Sequence, residues 1–194
     1  MTLRPIKKHS FDTVYDSQKV FRLILTAMSN PVAAVSIKEY ADKLYGDCPE
    51  FMAVAMTLLD NEVSFGACEN RPFFDEIASL TLSRRVNVEN ADFVFVIDPG
   101  CMEYAITNAK CGTLADPHES ATVIIRNGGE PALRLSFSGP GIDDRIDADA
   151  TQTVRDAIAM RETRDFEYPQ GIDFIFVSDG GGLFAIPRLA RLVE

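Results

Sequence analysis

The chain has 194 residues, of which 46% are hydrophobic, and its formal net charge is −10 at pH 7. A chain of this size can bury one good hydrophobic core. We therefore expect a single α/β domain over residues 1–194, with residues 1–14 as a loosely ordered N-terminal arm. The negative charge argues against nucleic acid and other polyanions as partners over a broad surface.

Two features bear on the location of the protein. No apolar run approaches the ~18 residues of a membrane-spanning helix, so no membrane partner is expected. The first ten residues, MTLRPIKKHS, are basic but lack the apolar segment of a signal peptide. We therefore expect a cytoplasmic protein.

The cysteines and histidines bear on redox and metal chemistry. The four cysteines are Cys48, Cys68, Cys101 and Cys111. They contain no Cys-x-x-Cys pair, and in the cytoplasm we expect reduced thiols that are mostly buried. The two histidines, His9 and His118, add no recognised spacing of metal ligands. We expect neither a metal site nor a cofactor.

Helices alternate with strands in the first part of the chain. The first helix is predicted over Tyr15–Ser29, with one apolar face at helical spacing. That face comprises Val20, Phe21, Ile24, Leu25 and Met28. Further helices are predicted from Pro49, over 73–85, over 102–110 and over 151–165, and strands over 32–37, 63–67 and 92–98.

Two hairpins are predicted in the second part of the chain. Residues 121–126 and 132–138 flank the turn signal Asn127–Glu130, and an acidic loop follows at 143–149. Residues 172–177 and 183–186 flank Asp179–Gly182, and the first arm is apolar enough to be covered on both faces. Together the elements predict an α/β fold with a mixed sheet flanked by helices.

Several residues are candidates for chemistry, each with a simpler structural interpretation. Cys111 and His118 could form a thiol nucleophile and its base, although a buried thiol and a loop histidine are commoner. Lys110 could form a Schiff base, although surface lysines are usually solvated. Arg188 could bind a carboxylate or phosphate, or it could form a structural ion pair with an aspartate. The glycines of 179–182 lead into a strand, which favours a tight turn over a phosphate loop.

A set of ordered motifs resembles a known family. The stretch DSQKVFR at 16–22, continuing to AMSNP at 27–31, is similar to the N-terminal signature of the H subunit of the bacterial carbon–phosphorus lyase core complex. The later matches are CGT at 111–113, DP at 116–117, AT at 121–122, GPGI at 139–142, YPQGID at 168–173 and AIPR at 185–188. They span residues 16–188, which is nearly the whole chain.

The resemblance implies a fold, a role and partners. Members of the family share an α/β fold related to the large domain of pyridoxal-phosphate-dependent transferases, without binding that cofactor. They form homodimers and join the G, I and J subunits. That machinery displaces adenine from ATP with an alkylphosphonate to give ribose 1-phosphonate 5-triphosphate. The H subunit supports this step or the assembly, and no catalytic residue is assigned to it.

The candidate ligand or interface residues are Arg22, Thr113, His118, Asp173 and Arg188. The sequence departs from the family pattern at four places. Val32 stands where the family has glycine, His118 where it has glutamate, Ser120 where it has glycine, and Leu189-Ala190 where it commonly has two threonines.

Three hypotheses about function follow. The first is an accessory, non-catalytic subunit of the carbon–phosphorus lyase complex that acts through protein interfaces, with strand 133–138 and the segment after Arg188 as interface elements. The second is a free-standing thiol enzyme that uses Cys111 and His118. The third is a small-anion protein that binds a nucleotide or phosphonate through Arg22 and Arg188.

Overall fold

The computed structural model of the protein describes residues 9–69 and 71–193. Within these ranges the chain forms a seven-stranded mixed sheet, a three-stranded sheet and flanking helices, which confirms the predicted α/β class. The strands are β1 (Val35–Ser36), β2 (Ser64–Gly66), β3 (Arg84–Arg85), β4 (Phe93–Val96), β5 (Thr122–Arg126), β6 (Leu133–Ser138), β7 (Ile146–Ala150), β8 (Asp173–Val177), β9 (Gly182–Ile186) and β10 (Arg191–Val193).

Helices cover both faces of the seven-stranded sheet. The helices are α1 (Tyr15–Ser29), α2 (Lys38–Ala41), α3 (Pro49–Leu58), α4 (Pro72–Thr81), α5 (Met102–Asn108) and α6 (Gln152–Glu162). One buried cluster joins α1, α3 and α4 to one face, and a second joins α5 and α6 to the other. No helix in the described ranges has the length and apolarity needed to cross a membrane.

The seven-stranded sheet is parallel over most of its width. Its order is β1-β9-β8-β5-β4-β2-β3, and the strands from β8 to β3 run parallel. β9 returns antiparallel to β8, with Phe174 opposite Ile186, and every residue of β8 is buried. The hairpin predicted over 172–186 is therefore confirmed. The smaller sheet has the order β10-β6-β7 and packs through Phe137 and Ala150 into the cluster that contains α5 and α6.

The other predicted hairpin is wrong. β5 does not pair with β6: it lies between β4 and β8 in the large sheet, parallel to both. Its central residues, Val123 to Ile125, are buried, as suits an inner strand covered on both faces. β6 pairs instead with β7, and its alternating sequence suits a sheet with one more exposed face.

The predicted acidic loop at 143–149 is wrong over its second half, where Ile146–Ala150 forms β7. Its carboxylates face basic and hydroxyl groups nearby: Asp149 pairs with Arg134, and Asp147 pairs with Arg145 and accepts a hydrogen bond from Ser136. These contacts offset the repulsion that would disfavour an acidic strand.

At the start of α6, the spacing of Asp149 and Gln152 in the sequence predicts a loose capping box, but the structure has a different N-terminal cap. The hydroxyl of Thr151 caps the helix by accepting a hydrogen bond from the Val154 N–H group, because Asp149 belongs to the preceding strand.

The helix predicted over 73–85 ends early. α4 stops at Thr81 because Leu82 adopts a left-handed conformation with φ of 61°. Arg84 and Arg85 then form β3, the parallel edge strand beside β2, so they are not the basic last turn of a helix.

The strand predicted over 32–37 is reduced to Val35–Ser36. Val32, which stands where the resemblance gives glycine, holds φ at 60°, and its N–H group donates to the carbonyl of Ala185. Val32 thus adopts a backbone conformation that favours glycine. Because valine is β-branched, its backbone is strained in this conformation.

The cysteines do not all remain free thiols. Cys68 and Cys101 form a disulfide between Cα atoms 6.0 Å apart, although 33 positions separate them in sequence. Cys48 is buried, and burial raises the pKa of its thiol; Cys111 is partly buried. The expectation of four reduced cysteines is therefore wrong for one pair.

The N-terminal arm predicted over 1–14 falls partly outside the described residues, which begin at His9. From there the chain contacts the body of the fold: Phe11 is buried, the backbone of Ser10 donates to Lys43, and His9 lies within hydrogen-bond distance of Glu76.

The helix α1 buries only part of its predicted apolar face: Val20 and Ile24 are buried and Met28 packs against the core, but Phe21 and Leu25 do not. Its buried residues are Asp16, Val20, Ile24 and Ala27, whereas Phe21 is 48% exposed and Leu25 is 53% exposed. Val14, at the start of the helix, is 67% exposed. Positions 14, 21 and 25 share one side of a helix with 3.6 residues per turn. We name Val14, Phe21 and Leu25 the α1 ridge.

Substitution of either of two neighbouring glycines in the β8–β9 turn tests how closely this turn packs against α2. Gly181 has φ of +78°, and a Cβ atom there would lie 2.6 Å from the Cα of Lys38. We expect Gly181→Ala to lower the free energy of unfolding by roughly 2–4 kcal/mol, through backbone strain and overpacking.

Gly180→Ala is the matched control, because a Cβ atom at Gly180 meets nothing within 4 Å. Urea denaturation of both variants measures the difference. Equal stability of the two variants would contradict the close contact between this turn and α2.

Candidate functional site

A pocket of about 360 Å³ lies where the start of β8 meets the segment that follows β9. It brings together three of the five candidate residues: His118, Asp173 and Arg188. The remaining lining consists of four prolines and a leucine: Pro117, Pro140, Pro169, Pro187 and Leu189. Thr113 and Arg22 do not line this pocket.

Arg188 is held on several sides at the pocket wall. Its backbone N–H donates to Oδ1 of Asp173 at 2.7 Å, and its guanidinium donates to both carboxylate oxygens of Asp173. Its Nη1 donates to the carbonyl of Pro117 at 2.6 Å. The Asp173 and Arg188 side chains are 10% and 21% exposed. The arginine thus forms the structural ion pair that was one of its two interpretations.

The register of the β8–β9 hairpin creates this pair. Asp173 begins β8, and because Phe174 lies opposite Ile186, the chain beyond β9 passes beside Asp173. Gly171 permits the close approach, since a Cβ atom there would lie 3.0 Å from the Cβ of Arg188. Gly171 has φ of +145°, a conformation that glycine adopts readily.

A second, buried arginine fixes the backbone behind the pocket. Arg161 is 1% exposed, and its guanidinium lies 4.9 Å from the ring centroid of Phe174. Its donors contact the carbonyls of Ile172, Ile186, Pro187 and Ala190. Burial lowers the pKa of Arg161 to about 10, which leaves it charged at neutral pH. Arg161 positions the segment that carries Arg188.

Arg161 is not among the candidate residues, because in the sequence it is simply a basic residue near the end of the helix predicted over 151–165. Its spacing contained a stronger signal, because Val154, Ala157, Ile158 and Arg161 recur at helical spacing and are the buried residues of α6. A basic residue on the apolar face of a helix is a candidate for buried backbone contacts.

The Cys111–Thr113 motif shapes the neighbouring loop. Thr113 Oγ1 accepts a hydrogen bond from the Asp116 N–H, and the Thr113 N–H donates to the Asp116 carbonyl. Gly112 has φ of +75°, and a Cβ atom there would lie 2.9 Å from the carbonyl oxygen of Pro117. That oxygen is the one that Arg188 binds, so the motif supports the ion pair from the opposite side.

The two departures in this loop have different environments. His118 lines the pocket. The hydroxyl of Ser120 is buried without a hydrogen-bond partner among the described residues, as expected where a hydroxyl replaces a glycine. The departure at Leu189-Ala190 has two environments: Ala190 is 1% exposed and lies in the core, whereas Leu189 lines the pocket.

The proposed thiol–base pair is not formed in this arrangement. Among the residues that the structure describes, no hydrogen bond joins Cys111 and His118; the Cys111 thiol instead contacts the carbonyl of Gly112 at 3.6 Å. Lys110 pairs with Asp92, which also accepts two hydrogen bonds from Ser64. Burial raises the pKa of Asp92, but these contacts outweigh it and lower the pKa below its usual value.

Arg22 and Arg188 line different pockets. Arg22 lies on α1 in an open groove of about 620 Å³, beside Lys19 and Lys38. Lys38 forms an ion pair with Asp42, another residue of this groove. The structure does not unite the two arginines in one anion-binding site.

A double-mutant cycle distinguishes a structural ion pair from an arginine that is available to a ligand. For Asp173→Asn with Arg188→Met, we expect a coupling energy of about 2 kcal/mol or more, because the pair is largely buried. The exposed pair Arg126 and Asp179, with side chains 34% and 62% exposed, is the control. For Asp179→Asn with Arg126→Met we expect about 0.2–1 kcal/mol. Chemical denaturation measures both, and equal coupling would argue against a structural role for Arg188.

Comparison with known proteins agrees with the motifs described above. The model of the family "Bacterial phosphonate metabolism protein (PhnH)" matches residues 9–193. A search of curated proteins finds no significant match. The family match covers the pocket, α1 and both sheets. The chain therefore belongs to the PhnH family of bacterial phosphonate metabolism proteins, the family of the carbon–phosphorus lyase H subunit.

Proposed function

We propose that this chain is an accessory, non-catalytic subunit of the carbon–phosphorus lyase core complex. Its family membership makes it a protein of phosphonate metabolism. The proposal adds that it binds the G, I and J subunits as a homodimer. In that assembly it supports the formation of ribose 1-phosphonate 5-triphosphate from ATP and an alkylphosphonate.

The observation that carries the proposal is the α1 ridge. Scattered exposed apolar residues are ordinary, but three large ones on one side of a single helix form an apolar face that suits a protein partner. An apolar helix face that fits a groove on another chain is a recurrent mode of association. The ridge lies on the helix that contains the N-terminal family signature.

The pocket supports the same interpretation. The guanidinium of Arg188 is occupied by Asp173 and Pro117, and the Thr113 hydroxyl stabilises a turn. The guanidinium and the hydroxyl therefore already have partners within this chain. This favours a role in shaping a surface over a role in binding a small anion directly.

The proposed interface elements lie together in the smaller sheet. β6 has an alternating sequence and pairs with β10, which lies in the segment after Arg188. The cytoplasmic location remains part of the proposal, as does the relationship to the large domain of pyridoxal-phosphate-dependent transferases. The seven-stranded mixed sheet with helices on both faces supports that relationship.

An activity assay tests the accessory role. We expect the purified chain alone to release no adenine from ATP and methylphosphonate. A mixture of the G, I and J subunits should require addition of this chain for full release. Adenine in the assay is measured by liquid chromatography, with heat-denatured chain as the control addition. Adenine release by the isolated chain would overturn the non-catalytic assignment.

Substitution on the α1 ridge tests the interface. We expect Phe21→Ser with Leu25→Ser to weaken binding to the other subunits at least tenfold, since burial of each large apolar side chain contributes roughly 1.5–3 kcal/mol. Size-exclusion chromatography of the mixed subunits measures the loss of co-elution. The thermal midpoint of the isolated chain should change little, because both side chains are about half exposed.

Leu80→Ser is the matched control for that experiment. Leu80 is 42% exposed on α4, outside the ridge, and its substitution should leave co-elution unchanged. If the ridge variant co-elutes as well as the control does, the ridge is not the contact surface.

A further inference from the structure

The large sheet has a topological switch point between β2 and β4. From β2 the chain passes through α4 to β3 on one side, and from β4 it passes through α5 to β5 on the other. The two helices lie on opposite faces of the sheet. The loops that follow β2 and β4 therefore diverge, and a crevice at the carboxyl ends of such strands is where α/β sheets bind ligands.

Three metal-ligand side chains meet at this crevice. Cys68 and Glu69 follow β2, and Cys101 follows β4. One ligand atom from each, the two sulfurs and a carboxylate oxygen, lie within 4.8 Å of one another. Residues 68 and 101 lie far apart in sequence, so their spacing alone revealed no metal site.

Backbone hydrogen bonds orient the carboxylate of Glu69. Its Oε1 accepts from the Ile97 N–H at 3.2 Å, and its Oε2 accepts from the Asp98 N–H at 3.1 Å. The side chain is 9% exposed. Hydrogen bonds of this kind hold a ligating carboxylate in place and tune its affinity for a metal ion.

We propose that, when its two cysteines are reduced, this cluster binds a thiophilic divalent cation such as Zn²⁺. Two thiolates and a carboxylate are common zinc ligands, and three protein ligands leave a fourth position for water. Cys68 also lines an open cleft of about 410 Å³, together with Val88 and Tyr104, so one ligand of the cluster faces an accessible cleft.

Reduction of the disulfide precedes metal binding. A thiol reductant converts the Cys68–Cys101 disulfide into two protein thiols and is itself oxidised to its own disulfide. Binding of Zn²⁺ then displaces one proton from each cysteine, so two protons are released. Oxidation of the pair excludes the metal ion, because the sulfurs are then bonded to each other.

Metal titration tests the proposal. The full chain, reduced with dithiothreitol and freed of it without oxygen, is titrated with Zn²⁺ against a chromophoric chelator. Co²⁺ serves as the spectroscopic probe. We expect one equivalent of bound metal and a thiolate-to-cobalt charge-transfer band. Oxidised protein should show neither.

Variants locate the ligands. We expect Cys68→Ser, Cys101→Ser and Glu69→Gln each to weaken Zn²⁺ binding at least about tenfold. Cys111→Ser is the control, because Cys111 is a free cysteine outside the cluster, and its affinity should match the unmodified chain. Unchanged binding by Cys101→Ser, or no binding by the reduced chain, overturns the proposal.

A measurement without substitutions covers the case in which a variant does not fold. The reduced chain is alkylated with iodoacetamide with and without Zn²⁺, and modified peptides are mapped by mass spectrometry. We expect Zn²⁺ to slow the labelling of Cys68 and Cys101 at least tenfold and to leave Cys111 unaffected. Equal labelling of the pair with and without Zn²⁺ contradicts a site at this cluster.

Discussion

One buried cation holds together the part of the fold on which the candidate site depends. Arg161 extends from α6 beneath the β8–β9 hairpin, and four backbone carbonyls accept hydrogen bonds from it. A buried charge without a carboxylate partner is costly unless polar groups replace its hydration. Here the carbonyls do so for Nη1 and Nη2 and the ring of Phe174 faces the cation, whereas Nε is buried without a hydrogen-bond partner among the described residues. The ends of two strands and the chain that follows them are thereby fixed relative to one helix.

Arg161 and Arg188 stabilise adjoining parts of this region. Arg161 positions the backbone after β9, and that backbone places Arg188 against Asp173 and Pro117. Several motif residues that carry the family resemblance therefore have architectural roles here. Gly171 leaves space for Arg188, Asp173 neutralises it, and Gly112 allows the Pro117 carbonyl to approach. Family motifs of charged residues and glycines can thus reflect how the backbone and side chains around this pocket pack.

The parts of the fold that follow local rules could be predicted from the sequence. The helix Tyr15–Ser29 matches its predicted bounds, and the β8–β9 hairpin follows from two apolar runs around a glycine turn. Partner choice is not local, so an inner strand such as β5 could be recognised as a strand but was assigned the wrong neighbour. β7 was missed because the groups that neutralise it, among them Arg134, lie on another strand.

The candidate site, like the fold, could be predicted from the sequence only in part. The family motifs supplied Asp173 and Arg188, the thiol hypothesis supplied His118, and the structure brings all three to one pocket. The same reasoning could not tell that Arg22 lies in another groove, because the rotation of α1 about its axis depends on what packs against it. The convergence of Cys68 and Cys101 required the order of the parallel strands, which no residue spacing reports.

The pairing of β1 with β9 has a consequence for biosynthesis. Val35 pairs with Leu183, so this edge of the large sheet stays open until the ribosome has synthesised the chain as far as β9. Contacts between such distant positions slow folding, because a long loop must close before they form. Meanwhile the apolar face of α3, including Phe51 and Met52, has no completed sheet to cover it. We therefore expect the partly synthesised chain to expose more apolar surface, and to aggregate more readily, than the completed fold.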